Sequence, residues 1–222
     1  MLTNLSFERW FENSKVTDQS GRPLLVHRGE HGPIDHAGVQ SQEDAKWGPF
    51  QSRLGALTFG SSRAAKHYAL QPNQQDELPI APRIFSSYLS TKNPVMNRPN
   101  DPFVELVEVV LAVGENVTMK IVIEMKYIIE HTNRWCDELE PKYGNFGEYI
   151  NSVFFQFEDI YFNAYNLFDS AEYVDIFRRA GFDGVIHGGS GDTFGEAEYK
   201  VFSASQALNL FSTRVPYEKL AR

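Results

Sequence analysis

Apolar and polar positions repeat with two different periods along this chain, and together they sort it into strand-rich ends and a helix-rich middle. Phe7, Trp10 and Phe11 recur at helical spacing and predict a short amphipathic helix at the front. The turn-forming run Asp18-Gln19-Ser20-Gly21-Arg22-Pro23 separates it from Leu24-Leu25-Val26-His27-Arg28-Gly29, the first buried-strand candidate. A polar loop is expected over 30–54. Ala56-Leu57-Thr58-Phe59-Gly60 then predicts a second short strand, and Ser61 to Ala69 a helix capped by Ser61 or Ser62. A Pro- and Gln-rich loop over 71–82 leads into a strand from Arg83 to Ser90, which Lys92-Asn93-Pro94 ends.

From 101 to 180 the patterns are richer in helix. The stretch Asn151 to Phe168 is crowded with aromatic residues and predicts a helix packed on most sides rather than a cofactor box. Ser170 opens a further helix through Arg179, and Gly181 closes it. Phe182 to His187 predicts a strand, 196–202 another, and Ser203-Ala204-Ser205-Gln206 a final turn. Short strands at both ends with helices concentrated between them predict an α+β fold with mostly antiparallel sheets. One domain is expected over 1–222, with its helix-rich segment at about 103–180.

Composition narrows the class without naming a function. The 222 residues, 42% hydrophobic and 23% charged, are those of an ordinary globular protein. No apolar run approaches a membrane span, and Met1 to Trp10 has no Sec-type signal pattern, so synthesis in the cytosol with no membrane partner is expected. A specialised delivery route leaves no such mark. The one cysteine, Cys136, excludes an internal disulfide framework. A formal charge of -8 argues against a broad nucleic-acid surface. No dinucleotide fingerprint, P-loop or zinc-helix motif is present, and no metal site is expected.

The chemistry concentrates in Gly195-Glu196-Ala197-Glu198-Tyr199-Lys200-Val201-Phe202. Residues two apart on a strand share a face, so Glu196 and Glu198 are expected side by side at the strand's mouth. The glycine-rich approach Gly188-Gly189-Ser190-Gly191-Asp192 is expected to leave that mouth open to a ligand.

Four blocks, in chain order, resemble the phage- and toxin-type mono-ADP-ribosyltransferases. They are Lys15 to Gly29, Leu57 to Ala69, Ser90 to Val95, and Ala180 to Ile186 continuing into Glu198 to Gln206. They span roughly 7–95 and 172–212, whereas about 103–170 resembles nothing in the family. The resemblance implies a split pair of mostly antiparallel sheets with flanking helices and a helical insertion. It implies NAD as substrate, cleavage of the nicotinamide–ribose bond, and transfer of ADP-ribose to a macromolecular acceptor. That acceptor is a protein side chain, arginine among the options, or a nucleic acid. The oxocarbenium-like transition state calls for a fixed carboxylate beside the ribose.

Carried over residue by residue, Glu198 is the catalytic carboxylate and Glu196 the one that orients or deprotonates the acceptor. On the front strand either Arg28 or His27 contacts NAD. Alternation gives the two opposite faces, and Arg28 is favoured because a guanidinium pairs well with phosphates. Gly29 is expected to let the backbone approach NAD. Ser61 or Ser62 supports the catalytic Glu, and Tyr68, with Phe59 as competitor, stacks on nicotinamide. A toxin or effector role with a neutralising partner follows by analogy. Two rival readings stay open: a NAD glycohydrolase using the same site, and an interaction module that kept the fold and lost catalysis.

Overall fold

The computed structural model describes residues 4–30, 56–70 and 82–215. Apart from Glu30 and Pro82, the loops expected over 30–54 and 71–82 lie outside the described residues. The chain divides into two compact units, one formed by Met1–Asp101 with Phe168–Arg222, the other by Pro102–Leu167.

In the first unit, β1 (Val26–Glu30), β2 (Leu57–Phe59), β3 (Arg83–Leu89) and β4 (Pro94–Arg98) come before the insertion. Strands β5 (Phe103–Glu105) and β6 (Tyr161–Asn163) belong to the second unit, and β7 (Gly184–Gly188), β8 (Ala197–Val201) and β9 (Ala207–Arg214) return to the first. One sheet has the order β1-β3-β9 and the other β2-β8-β7-β4. Every pairing is antiparallel except the parallel β4–β7 pair. The sheets join where His27 and Gly60 exchange backbone hydrogen bonds of 2.9 and 2.8 Å. The α+β class expected from the patterns is therefore what the chain adopts, with mostly antiparallel pairing.

The core draws on both sheets. Val26, Leu57, Phe59, Leu89, Ile186 and Val201 form one buried cluster with Val16 and Ala207. Helix α1 (Asn4–Phe11) sets Phe7 against Tyr88, with ring centroids 5.6 Å apart, and its Trp10 indole donates to the Ser205 carbonyl at 3.2 Å. Helix α2 (Ser62–Leu70) buries Ala64, Ala65 and Ala69. It lies so close to β1 that a Cβ on Gly29 would stand 1.6 Å from the Ala65 carbonyl oxygen.

Three sequence-distant blocks converge on Asp183. Its carboxylate accepts from the backbone N–H of Lys92 at 2.7 Å and of Asn93 at 2.9 Å. The Asn93 amide donates to the Gly181 carbonyl at 3.0 Å, and the Gln206 amide reaches the carbonyls of Asp183 and Ser90. Lys92-Asn93-Pro94 thus follows the end of β3, as expected, as a held turn that launches β4 in the other sheet. Past the expected final turn the chain also continues, as β9, which pairs with β3 along its length.

The second unit holds α3 (Leu106–Val113), α4 (Glu115–Glu124), α5 (Lys126–Ile129), a π-helical turn at Trp135–Leu139, α6 (Glu140–Tyr143), α7 (Phe146–Ile150) and the start of α8 (Ala164–Phe168). The single helix expected over Asn151 to Phe168 is not there. Val153 and Phe154 are exposed, and a short 3₁₀ turn, β6 and α8 follow. Phe162 of β6 is opposite Val104 of β5, both fully buried, so the aromatic density serves a two-stranded ribbon. Trp135, Phe146 and Tyr149 form the adjoining aromatic core, and the Tyr149 hydroxyl donates to Asp159 at 2.8 Å. Helix α9 (Ala171–Arg179), capped by Ser170 as expected, belongs to the first unit.

Candidate active site

Glu198 lies on β8 opposite His187 of β7 and is 8% exposed. A carboxylate that buried needs partners, because desolvation penalises an unpaired charge. The Thr193 hydroxyl donates to one of its oxygens at 2.7 Å. Lys200 Nζ and His187 Nε2 each lie 3.7 Å from the other oxygen. Lys200 is itself buried; it donates to Asp169 at 2.6 Å and to the Thr58 hydroxyl at 2.9 Å. Its ammonium therefore stands between two carboxylates, which compensate it. The imidazole of His187 has its pKa lowered by burial first and by the Lys200 charge second. Its Nδ1 pairs with the Gly188 carbonyl at 2.7 Å, so that nitrogen carries the proton of a neutral ring.

Glu196 precedes β8, just past a bend at Gly195 (φ 82°). The expected side-by-side pair is divided between two sets of partners. Glu196 binds the Ser61 hydroxyl and the Arg63 guanidinium at the start of α2, where a helix N-terminus also favours negative charge. Ser61 has two tasks, since its oxygen also accepts from the Ala64 N–H at 3.0 Å as the helix cap. Ser62 is exposed and opens α2, so the choice between the two serines falls on Ser61, whose partner is Glu196 and not Glu198. One turn on, His67 Nε2 lies 3.1 Å from an Asp192 oxygen. Much of the Tyr68 ring is exposed, yet its hydroxyl pKa is raised by burial and then by the Glu198 charge. Tyr68 therefore lies near Glu198, by way of the Thr193 hydroxyl. Phe59 does not: it is 2% exposed inside the apolar cluster, and core packing is its role.

Register decides between the two front-strand residues. His27 is bridged to Gly60, Thr58 is two residues before Gly60, and Thr58 is opposite Lys200. By strand alternation His27, Thr58, Lys200 and Glu198 share one face. Arg28 projects to the other side of β1 with Val26 and Glu30. Its Nε bonds Glu30 at 2.5 Å and its Nη1 the Thr58 carbonyl at 3.0 Å. Glu30 is 6% exposed, and its pKa is pushed up to about 7, burial outweighing the opposing pull of Arg28. The face expected for Arg28 thus belongs to His27, which is half-buried with Nδ1 2.9 Å from the Ser86 hydroxyl and a pKa lowered by burial.

The glycines also work differently from expectation. The space left by Gly29's missing side chain is taken by α2, not held open for a dinucleotide. A Cβ on Gly188 would meet the Asn100–Asp101 backbone at 2.8 Å, and one on Gly189 would meet Thr193 at 2.4 Å. The glycine-rich run folds onto the protein's own chain and brings Thr193 to Glu198. No protein-family model, curated protein or solved structure matches the chain.

Thr193, Lys200, His187, Asp169 and Arg63 enter the site without having been singled out in the sequence. Lys200 had a signal, since it continues the two-residue alternation from Glu196 and Glu198. Thr193 and Asp169 had none, because they reach the carboxylate and the lysine from loop positions.

Proposed function

We propose that the chain is a NAD-dependent mono-ADP-ribosyltransferase with Glu198 as its catalytic carboxylate. The observation that carries this reading is the common face of His27, Thr58, Lys200 and Glu198, rimmed by Ser61, Glu196 and Tyr68. Two small sheets joined at the His27–Gly60 bridge, with a unit inserted between β4 and α9, also agree with the architecture that the resemblance implies.

In this reading the ribose lies against Glu198, which the Thr193 hydroxyl and Lys200 fix in place. A positioned carboxylate stabilises positive charge as the ribose–nicotinamide bond breaks, and nicotinamide leaves with the bonding electrons. The acceptor nucleophile then bonds the anomeric carbon and gives its proton to Glu196. His27 contacts the dinucleotide from the front strand, and Tyr68 supplies the aromatic wall. Glu196 is held by the Arg63 guanidinium and the Ser61 hydroxyl, so taking the acceptor's proton requires that pair to open, and the acceptor is a protein side chain, arginine among the options, or a nucleic acid.

The test is NAD turnover by the purified protein, followed as nicotinamide release. Glu198→Gln is expected to lower it by at least roughly 100-fold with an unchanged circular dichroism spectrum. Turnover equal to wild type in that variant removes Glu198 from the reaction. Labelled ADP-ribose recovered on protein supports transfer, whereas recovery only as free ADP-ribose reassigns the chain as a NAD glycohydrolase.

A further inference from the structure

We propose that the second unit binds a neutral carbohydrate in a cavity of about 460 Å³ lined by α5, the turn that follows it, the β5–β6 ribbon and α8. This site goes beyond the NAD reading and does not depend on it.

The volume lies within the range of small-ligand sites. Two aromatic pairs face the cavity. Tyr127 and His131 are tilted against each other with centroids 4.2 Å apart, and Phe103 meets Tyr161 edge-on at 5.1 Å. These rings are not used up in the core, because Tyr127 is 73% and Phe103 40% exposed. Both rings present an apolar face, and the tyrosine adds a polar tip, which suits a ligand having an apolar ring face and a hydroxylated edge.

The polar lining comes from Thr132, Asn133, Asn163 and Asn166. Each Asn amide both donates and accepts, as a sugar hydroxyl does, so one amide can serve a hydroxyl in either sense. Among the described residues, no Asp, Glu, Lys or Arg lines the cavity. A phosphate would therefore find no Lys or Arg there, and a cationic ligand no carboxylate. Nucleic acid draws most of its affinity from Lys and Arg contacts to phosphate, and a chain of net charge -8 adds long-range repulsion. A neutral ring bearing several hydroxyls satisfies every feature of the lining.

Calorimetric titration of the full chain tests this with chitotetraose, cellotetraose, maltotetraose and mannotetraose, alongside short oligo-dT and oligo-A. Saturable binding of at least one sugar is expected, with a dissociation constant on the order of micromolar to millimolar. Tyr127→Ala and Asn166→Ala should each weaken it by about tenfold or more. Tyr127 is a surface residue, so its truncation leaves the fold intact, with an unchanged melting curve as the check. Glu198→Gln should bind the sugar as wild type does, whatever its NAD turnover, which keeps the two proposals separable. Absence of sugar binding, wild-type affinity in Tyr127→Ala, or binding of the oligonucleotides in place of the sugars overturns the proposal.

Discussion

The two sides of β1 treat polarity in opposite ways. On one side, Arg28 and Glu30 meet beside the apolar cluster of Val26 and Phe59, and the guanidinium is spent on Glu30 and on the Thr58 carbonyl. On the other, His27 and Gly29 belong to the side that holds α2 and carries Thr58, Lys200 and Glu198. Next to the core, the guanidinium compensates a buried carboxylate only in part, since burial still raises the Glu30 pKa. The carboxylates on and just before the interior strand β8, held by hydroxyls and cations with Tyr68 half in solvent, are the groups that the proposed function uses. Adjacent residues on one strand therefore face different partners, which charge alone does not tell apart.

The sharpest way to break this contrast is Gly29→Ala, which attacks the packing of α2 on β1. With its Cβ 1.6 Å from a backbone carbonyl the helix must move, and a loss of about 3 kcal/mol or more is expected in chemical denaturation. Arg28→Ala comes next. It leaves a buried carboxylate unpaired and should cost about 3 kcal/mol above neutral pH, while the affinity for NAD changes little in whatever remains folded. His27→Ala should do the reverse, raising the NAD requirement by about tenfold or more for a stability loss of about 1 kcal/mol. Were Arg28→Ala to raise the NAD requirement and His27→Ala to unfold the chain, the assignment of the two faces would be inverted.

Glu30 sharpens the same comparison through pH. Its carboxyl ionises at about 7 in the folded protein against 4.5 ordinarily, so the folded state holds the proton more tightly. Its contribution is fully present below about pH 4.5 and is lost as pH rises through about 7, on the order of 3 kcal/mol in all. Glu30→Gln does not ionise, and the stability of wild type relative to it should fall across that window. A flat difference would show that Arg28 already compensates the carboxylate fully. The smallest effect belongs to Ser61→Ala. Loss of the cap should cost about 1 kcal/mol, and freeing Glu196 should lower transfer to an acceptor more than it lowers NAD cleavage.

What the sequence made legible is what local chemistry fixes. The strand–helix step at Phe59 to Ser62, the cap at Ser170 and the turns around Gly181 declare themselves through glycine, serine and apolar spacing. The blocks that carry the family resemblance turn out to be folding devices as well, since Lys92, Asn93, Asp183 and Gln206 lock onto one another. Strands β4 and β9 stayed hidden for opposite reasons. The first begins on a proline, a residue that normally ends strands, and the second is exposed along most of its length and lacks a core-facing rhythm. The division of labour between His27 and Arg28 depended on the bridge to Gly60. No local pattern encodes a partner thirty-three residues away, because that contact depends on how two sheets meet.

The inserted unit begins and finishes on neighbouring strands. Phe103 is opposite Asn163, and the Pro102 carbonyl accepts from the Ala164 amide at 2.8 Å. Within the unit, the entering segment at Pro102–Phe103 and the later segment at Asn163–Ala164 therefore run as a zipped pair. A loop fastened at its base in this way is open to exchange: length and cargo beyond the fastening can change without altering the strand order of either sheet.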